Sequence, residues 1–145
     1  MRFTLSILIL LLPALTQAQH PVTFFTSADA VRIKKDIAKY PLLKASFDDI
    51  KKDVDLWLDK DVDVPFPKDP AGGYTHDKHK SNYMLMFNSG ILFNLTGDAR
   101  YATLIKKMLL KYAVLNPQLK KHPQATSSSP GHIFWQALND ANWLV

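Results

Sequence analysis

The chain has 145 residues, with 18 basic side chains against 13 acidic ones and no cysteine. The absent thiols exclude disulfides, thiolate metal ligands and lipid attachment at a processed cysteine, so stability must come from packing. The net charge of +5 is carried by lysines scattered among aspartates; that argues against a nucleic-acid stripe and suits an acidic ligand and an ordinary solvated surface equally.

Residues 1–18 have the three parts of a secretory signal peptide: Arg2, an apolar run over residues 5–12 broken only by Ser6, and the small Ala18 before Gln19. The run is shorter than the roughly 20 residues a membrane span needs. The expectation is cleavage after residue 18, a periplasmic or secreted product and no membrane association afterwards. A buried N-terminal helix is the structural alternative. Loss of Arg2 leaves 17 basic side chains (18 less one), and residues 19–145 suffice for one modest domain.

Thr26-Ser27-Ala28-Asp29 predicts a helix start, with a hydroxyl cap and an acid in the first turn. The helix runs to about Lys39, and Pro41 forces a break before a second helix ending near Asp59. Ala30, Ile33 and Ile37, then Leu43, Phe47, Ile50, Val54 and Trp57, recur at helical spacing. Residues 62–73 carry three prolines and two glycines and read as an extended surface crossing. Thr75 is expected to cap a third helix over residues 76–95, ended by Thr96-Gly97-Asp98. Asp98 caps a fourth, bearing Tyr101, Leu104, Ile105, Met108, Leu109 and Tyr112 and stopping before Pro117. A polar loop follows, and Ser129-Pro130-Gly131 is expected to open the last helix. No segment alternates like a strand. The fold class expected is all-α, built of antiparallel helical hairpins in a solenoid or toroid.

Two helix faces could carry chemistry. On the third helix His76, His79, Tyr83, Phe87, Gly90 and Asn94 share one face. They suit the wall of a sugar cleft, or else the histidines cap a helix start while Tyr83 packs. His76-x-x-His79 could reach one metal ion, but a tetrahedral site wants a third ligand and none is evident, so neither metal nor cofactor is expected. Asn94-Leu95-Thr96 matches a glycosylation triplet that is common by chance. On the last helix Phe134, Ala137, Leu138, Ala141 and Val145 form an apolar stripe. His132, Gln136, Asn139 and Trp143 lie opposite, with Trp135 at the edge. A flat aromatic plate beside fixed amides suits a carbohydrate; equally, the amides could tie helix ends to loops and Trp143 could be core.

Asp63-Val64-Pro65-Phe66-Pro67-Lys68-Asp69, Gly72-Gly73-Tyr74-Thr75-His76-Asp77-Lys78-His79-Lys80-Ser81-Asn82-Tyr83 and Pro130-Gly131-His132-Ile133-Phe134-Trp135-Gln136-Ala137-Leu138-Asn139 resemble the N-terminal region of exolytic oligoalginate lyases. These belong to the heparinase II/III-like polysaccharide lyases. Leu95-Thr96-Gly97-Asp98 and Met108-Leu109-Leu110-Lys111-Tyr112-Ala113 match in the same order. The resemblance implies the N-terminal part of an incomplete α/α toroid over residues 19–145, truncated at its C-terminus. It implies β-elimination at a uronic acid, an acidic oligosaccharide as partner, and catalysis by an Asn-His pair and tyrosines in the missing C-terminal part of the same enzyme. No catalytic residue is then expected in this chain. Gln136 becomes the first candidate for contact with a carboxylate or hydroxyl, followed by Tyr74, His76, His79, Trp135 and Asn139. Asn142-Trp143-Leu144-Val145 carries no helix stop, in keeping with an inactive fragment. The alternatives are a non-catalytic carbohydrate-binding protein and a helical-repeat interaction module, although no period of about 34 residues is found.

Overall fold

The computed structural model describes residues 26–126 and 128–144, and for residue 144 the backbone only. The signal-peptide expectation lies outside the described residues, as do Gln19 and Val145. The helices are α1 (Ser27–Lys39), α2 (Pro41–Asp55), α3 (Tyr74–Thr96), α4 (Ala99–Leu115) and α5 (Ala137–Leu144), with a 3-10 turn at Asn116–Gln118. The described residues contain no strand, so the chain is all-α, as its patterning predicts. No described helix is long and apolar enough to cross a membrane.

Local chemistry sets most of the boundaries. Thr26 and Asp29 form a reciprocal capping box: the Asp29 amide donates to Thr26 Oγ1 at 3.2 Å and the Thr26 amide to Asp29 Oδ2 at 3.0 Å. Tyr40, ahead of Pro41, is extended (φ −109°, ψ 112°), which separates α1 from α2. The last turn of α2 tightens, with Trp57 N–H bonded to the Val54 carbonyl at 2.9 Å, so regular helix stops before the expected Asp59. Gly97, in the left-handed region at φ 76°, closes α3, and Asp98 caps α4 through the Arg100 amide at 3.0 Å.

α3 and α4 pack along each other as a hairpin, and α1 and α2 rest against α3. On α4 the buried residues Tyr101, Leu104, Met108, Tyr112 and Leu115 fall on one stripe. Its upper half meets Val54, Val62 and Leu92 in one cluster, and its lower half meets Ile133 and Phe134 in a second. Tyr101 donates to Asp55 Oδ1 across the first cluster at 2.8 Å. Lys111 reaches Asp61 Oδ1 at 2.6 Å and the Val62 carbonyl at 2.7 Å, which pins the start of the long crossing loop.

Two local expectations are corrected. Thr75 does not cap α3; it lies buried in the first turn, where its hydroxyl accepts from the Lys68 and Asp69 amides. The cap comes from the loop: Asp69 Oδ2 accepts from the Thr75 amide and hydroxyl, each at 2.9 Å, and this bond to the helix start lowers the carboxyl's pKa. At the other end, Pro130-Gly131 opens no helix. Residues 132–136 make a tight series of bends in which Asp140 turns back, accepting from the His132 amide at 2.5 Å and the Phe134 amide at 2.8 Å. The expected stripe on α5 therefore breaks up. Phe134 is buried ahead of the helix, while Leu138 is 71% exposed.

Candidate functional site

The crossing loop, the start of α3, the lower half of α4 and the bends before α5 meet at one buried polar seam. Its centre is Tyr112, whose hydroxyl lies 2.9 Å from His79 Nδ1 and accepts from Asn82 Nδ2 at 3.1 Å. Asn82 Nδ2 also donates to the Asp63 carbonyl at 2.8 Å, tying the loop to the seam. With Asn82 supplying a proton to the phenol oxygen, Tyr112 donates its own to His79 Nδ1. That assigns the His79 hydrogen to Nε2, a buried nitrogen with no hydrogen-bond partner among the described residues.

Burial decides the charge state of this pair. It pulls the His79 pKa down to about 4, against the opposing pulls of the Pro65 carbonyl and Asp63. It pushes Tyr112 up to about 12, against the bond from Asn82. Both groups are uncharged at neutral pH. Burial likewise lowers the pKa of His76 and of His122, opposed by Asp77 and by Asp140 respectively. A histidine and a tyrosine at hydrogen-bond distance have the chemistry of an acid–base pair, but His79 is 0% exposed. In this conformation it exchanges no proton with a bound ligand.

Phe134 connects the two sequence motifs. Its ring stands edge-on to His76 at 5.1 Å and to His79 at 6.1 Å between centroids. Trp143 lies against Tyr112 at 4.5 Å, tilted by 55°. It belongs to the core side of the last helix rather than to an outward sugar-binding face.

The candidates thus fall into two layers. His76 and His79 are buried, on a band of α3 shared with Asn82, Ser89 and Leu92, whereas Phe87 of the expected common face is exposed. Gln136 is exposed, with Trp135 and Asn139 half-buried beside it, at the start of α5 directly after Phe134. The Gln136 carbonyl accepts from the Asn139 amide at 3.1 Å, which starts the first turn of α5. Tyr74 is 64% exposed and donates to Asp63 Oδ2 at 3.0 Å, a bond that raises its pKa. Its partner, Asp63, is the residue whose carbonyl holds Asn82. Among the described residues no group of three or more His, Cys, Asp or Glu could hold a metal ion.

Sequence reasoning missed Asn82, Tyr112, Asp69 and Asp140 as organisers of this region. Asn82 stands inside a quoted motif, and a lone amide on an otherwise buried turn is a usable signal. Asp140 carries none, because its role depends on a chain reversal.

The chain matches no protein-family profile. It is similar to an exo-oligoalginate lyase of Saccharophagus degradans, 41% identical over 126 residues that make up 87% of this chain and 17% of that protein. It is also similar to an alginate lyase of Stenotrophomonas maltophilia, 36% identical over 132 residues, 91% of this chain and 18% of that protein. The chain thus spans less than a fifth of the length of these curated relatives, and it is related to alginate-degrading polysaccharide lyases through that part.

Proposed function

We propose that this chain is the helical entrance wall of an exported polysaccharide lyase that cleaves uronate oligosaccharides, alginate foremost, by β-elimination. The observation that carries this reading is the relationship to two alginate lyases over nearly the whole chain. The five helices and their hairpin packing are compatible with the first part of an incomplete α/α toroid of the heparinase II/III-like kind. The substrate-facing residues in this reading are Gln136, Asn139 and Trp135, with Tyr74 at the loop, while His76 and His79 shape the wall from beneath.

β-Elimination needs a neutralised carboxylate at the sugar, a base for the C5 proton and an acid for the leaving oxygen. The chain on its own lacks this machinery in our reading. The buried, uncharged state of His79 and Tyr112 supports that, since the pair with the right chemistry is turned inward. Residues 1–18 act as the export signal, and N-terminal sequencing of secreted protein should find Gln19 first.

The test is direct. The purified chain is incubated with oligoalginate and followed by absorbance of the unsaturated product, in parallel with calorimetric titration by oligomannuronate. We expect binding without product. Turnover approaching that of a whole lyase would overturn the inactivity, and absence of heat with every uronate tested would overturn the substrate class.

A further inference from the structure

A second surface, away from the seam, has the make-up of an acidic-sugar site. The turn after α2 carries Trp57, which with Asp53 and Val54 lines a groove of about 350 Å³ between α2 and α3. Met84 and Leu85 of α3 add apolar lining. Lys80, Ser81 and Asn88 of the same helix add polar lining. Residues 81, 84, 85 and 88 follow i, i+3, i+4, i+7 spacing, so one face of α3 supplies apolar and polar lining together.

Charge complements this shape. Lys78 Nζ lies over the Trp57 ring at 4.9 Å from its centroid and Lys60 Nζ at 5.4 Å, so cation–π contacts hold two ammonium groups beside the groove, and Lys80 lines it as a third cation. Among the described residues none of the three is in an ion pair. That contrasts with Lys44, Lys51 and Lys111, each paired with an aspartate. Asp53 is the one carboxylate lining the groove, and Asp77 is the acid on the adjacent turn of α3. These three cations, none of them neutralised by a carboxylate, outnumber Asp53 and Asp77 and stand beside an amide and a hydroxyl. A ligand that answers all of these has a ring with an apolar face, hydroxyls and a carboxylate.

We propose that the groove between α2 and α3 is an accessory binding site for an acidic saccharide, with Met84 and Leu85 as its apolar surface and with Lys80 and Lys78, the latter held by the Trp57 ring, as the carboxylate partners. The identification of the sugar as a uronate rests on the function proposed above; the site itself rests on the groove. It would hold a polyuronate on the outside of the helical wall, separate from the residues around Gln136.

The whole chain is titrated by calorimetry with alginate trisaccharide, oligogalacturonate and neutral mannotriose, and the alginate complex is mapped by amide and indole NMR shifts. We expect the acidic sugars to bind more tightly than mannotriose and the affinity to fall with added salt. Shifts should centre on the Trp57 indole, Ser81 and Asn88. The double variant K78Q/K80Q should bind about fivefold more weakly, from two exposed ion pairs lost, with an unchanged melting curve. D53N should bind at least as well as the unaltered chain.

Alginate binding that is indifferent to K78Q/K80Q, with shifts confined to the region of Gln136, overturns this site and leaves the proposed function standing. Binding of oligogalacturonate but not alginate, lost in K78Q/K80Q, supports the site and overturns the alginate assignment. Equal binding of mannotriose, or no binding of any acidic sugar, overturns the site.

Discussion

Tyr112 Oη and His79 Nδ1, 33 residues apart in the chain, lie 2.9 Å from each other in the interior. The bond joins α3 to α4 where both meet the crossing loop, and Asn82 shares the same oxygen at 3.1 Å. It holds in register the surface on which Tyr74 and Gln136 stand, without itself reaching solvent.

Tyr112→Phe keeps the ring against Trp143 and removes the hydroxyl. His79 Nδ1 is then left without a donor and Asn82 keeps only the Asp63 carbonyl. The expected loss is about 1–3 kcal/mol of unfolding free energy, read from urea denaturation. A variant as stable as the unaltered chain would show that the bond does not hold the seam.

Stability should depend on pH below neutrality. His79 titrates at 6.5 ordinarily and at about 4 in the folded protein, so between these values the unfolded chain binds more protons. Its contribution is complete above about pH 7, falls as the pH drops below 6.5, and is gone near pH 4; it amounts to roughly 2–3 kcal/mol. His76 and His122 are shifted in the same direction and steepen the loss. Urea midpoints at pH 7.5, 6, 5 and 4.5 measure it, and a flat profile would contradict the buried, neutral assignment.

Two glycines should respond oppositely to alanine. A Cβ on Gly131 would sit 2.3 Å from the Phe134 carbonyl oxygen and 2.9 Å from Asp140 Oδ2, so Gly131→Ala must break the bends before α5. A loss of about 2 kcal/mol or more is expected. Gly90, inside α3, has nothing within 4 Å of its Cβ position, and Gly90→Ala should gain about 0.5–1 kcal/mol from helix propensity. Paired thermal melts distinguish the two.

Asp69→Ala removes the external cap of α3 and the acceptor of the Thr75 hydroxyl. About 1–2 kcal/mol should be lost. Amide hydrogen exchange should quicken first at Thr75 and along the first turn, while the α4 stripe stays protected.

Gln136→Ala tests the substrate wall. The side chain is exposed, so stability should move by less than about 0.5 kcal/mol. Oligomannuronate affinity should drop about tenfold if the amide meets the uronate carboxylate. Unaltered affinity would remove Gln136 from the binding surface.

The helices were legible where their causes are short-range. Thr26 and Asp29 cap each other across three residues, Pro41 constrains its neighbour, and Gly97 with Asp98 closes one helix and starts the next. Such contacts depend on local geometry alone, so sequence by itself determined the all-α class, the α3–α4 hairpin and the two motif segments. The periodic stripe of α4 was readable for the same reason, since one buried side of a regular helix repeats.

Tertiary structure decided the rest. Thr75 yields the cap to Asp69 because the crossing loop folds back and delivers a carboxylate to the helix start. α5 begins at Ala137 because Asp140 satisfies the amides of His132 and Phe134, which holds those residues in bends. His79 is interior because Phe134 and Tyr112 arrive from other parts of the chain to cover it. A helical wheel gives angular positions but not the partners that close over them. Burial, which sets the neutral state of His79 and the inward turn of Trp143, comes from contacts between segments that periodicity does not relate.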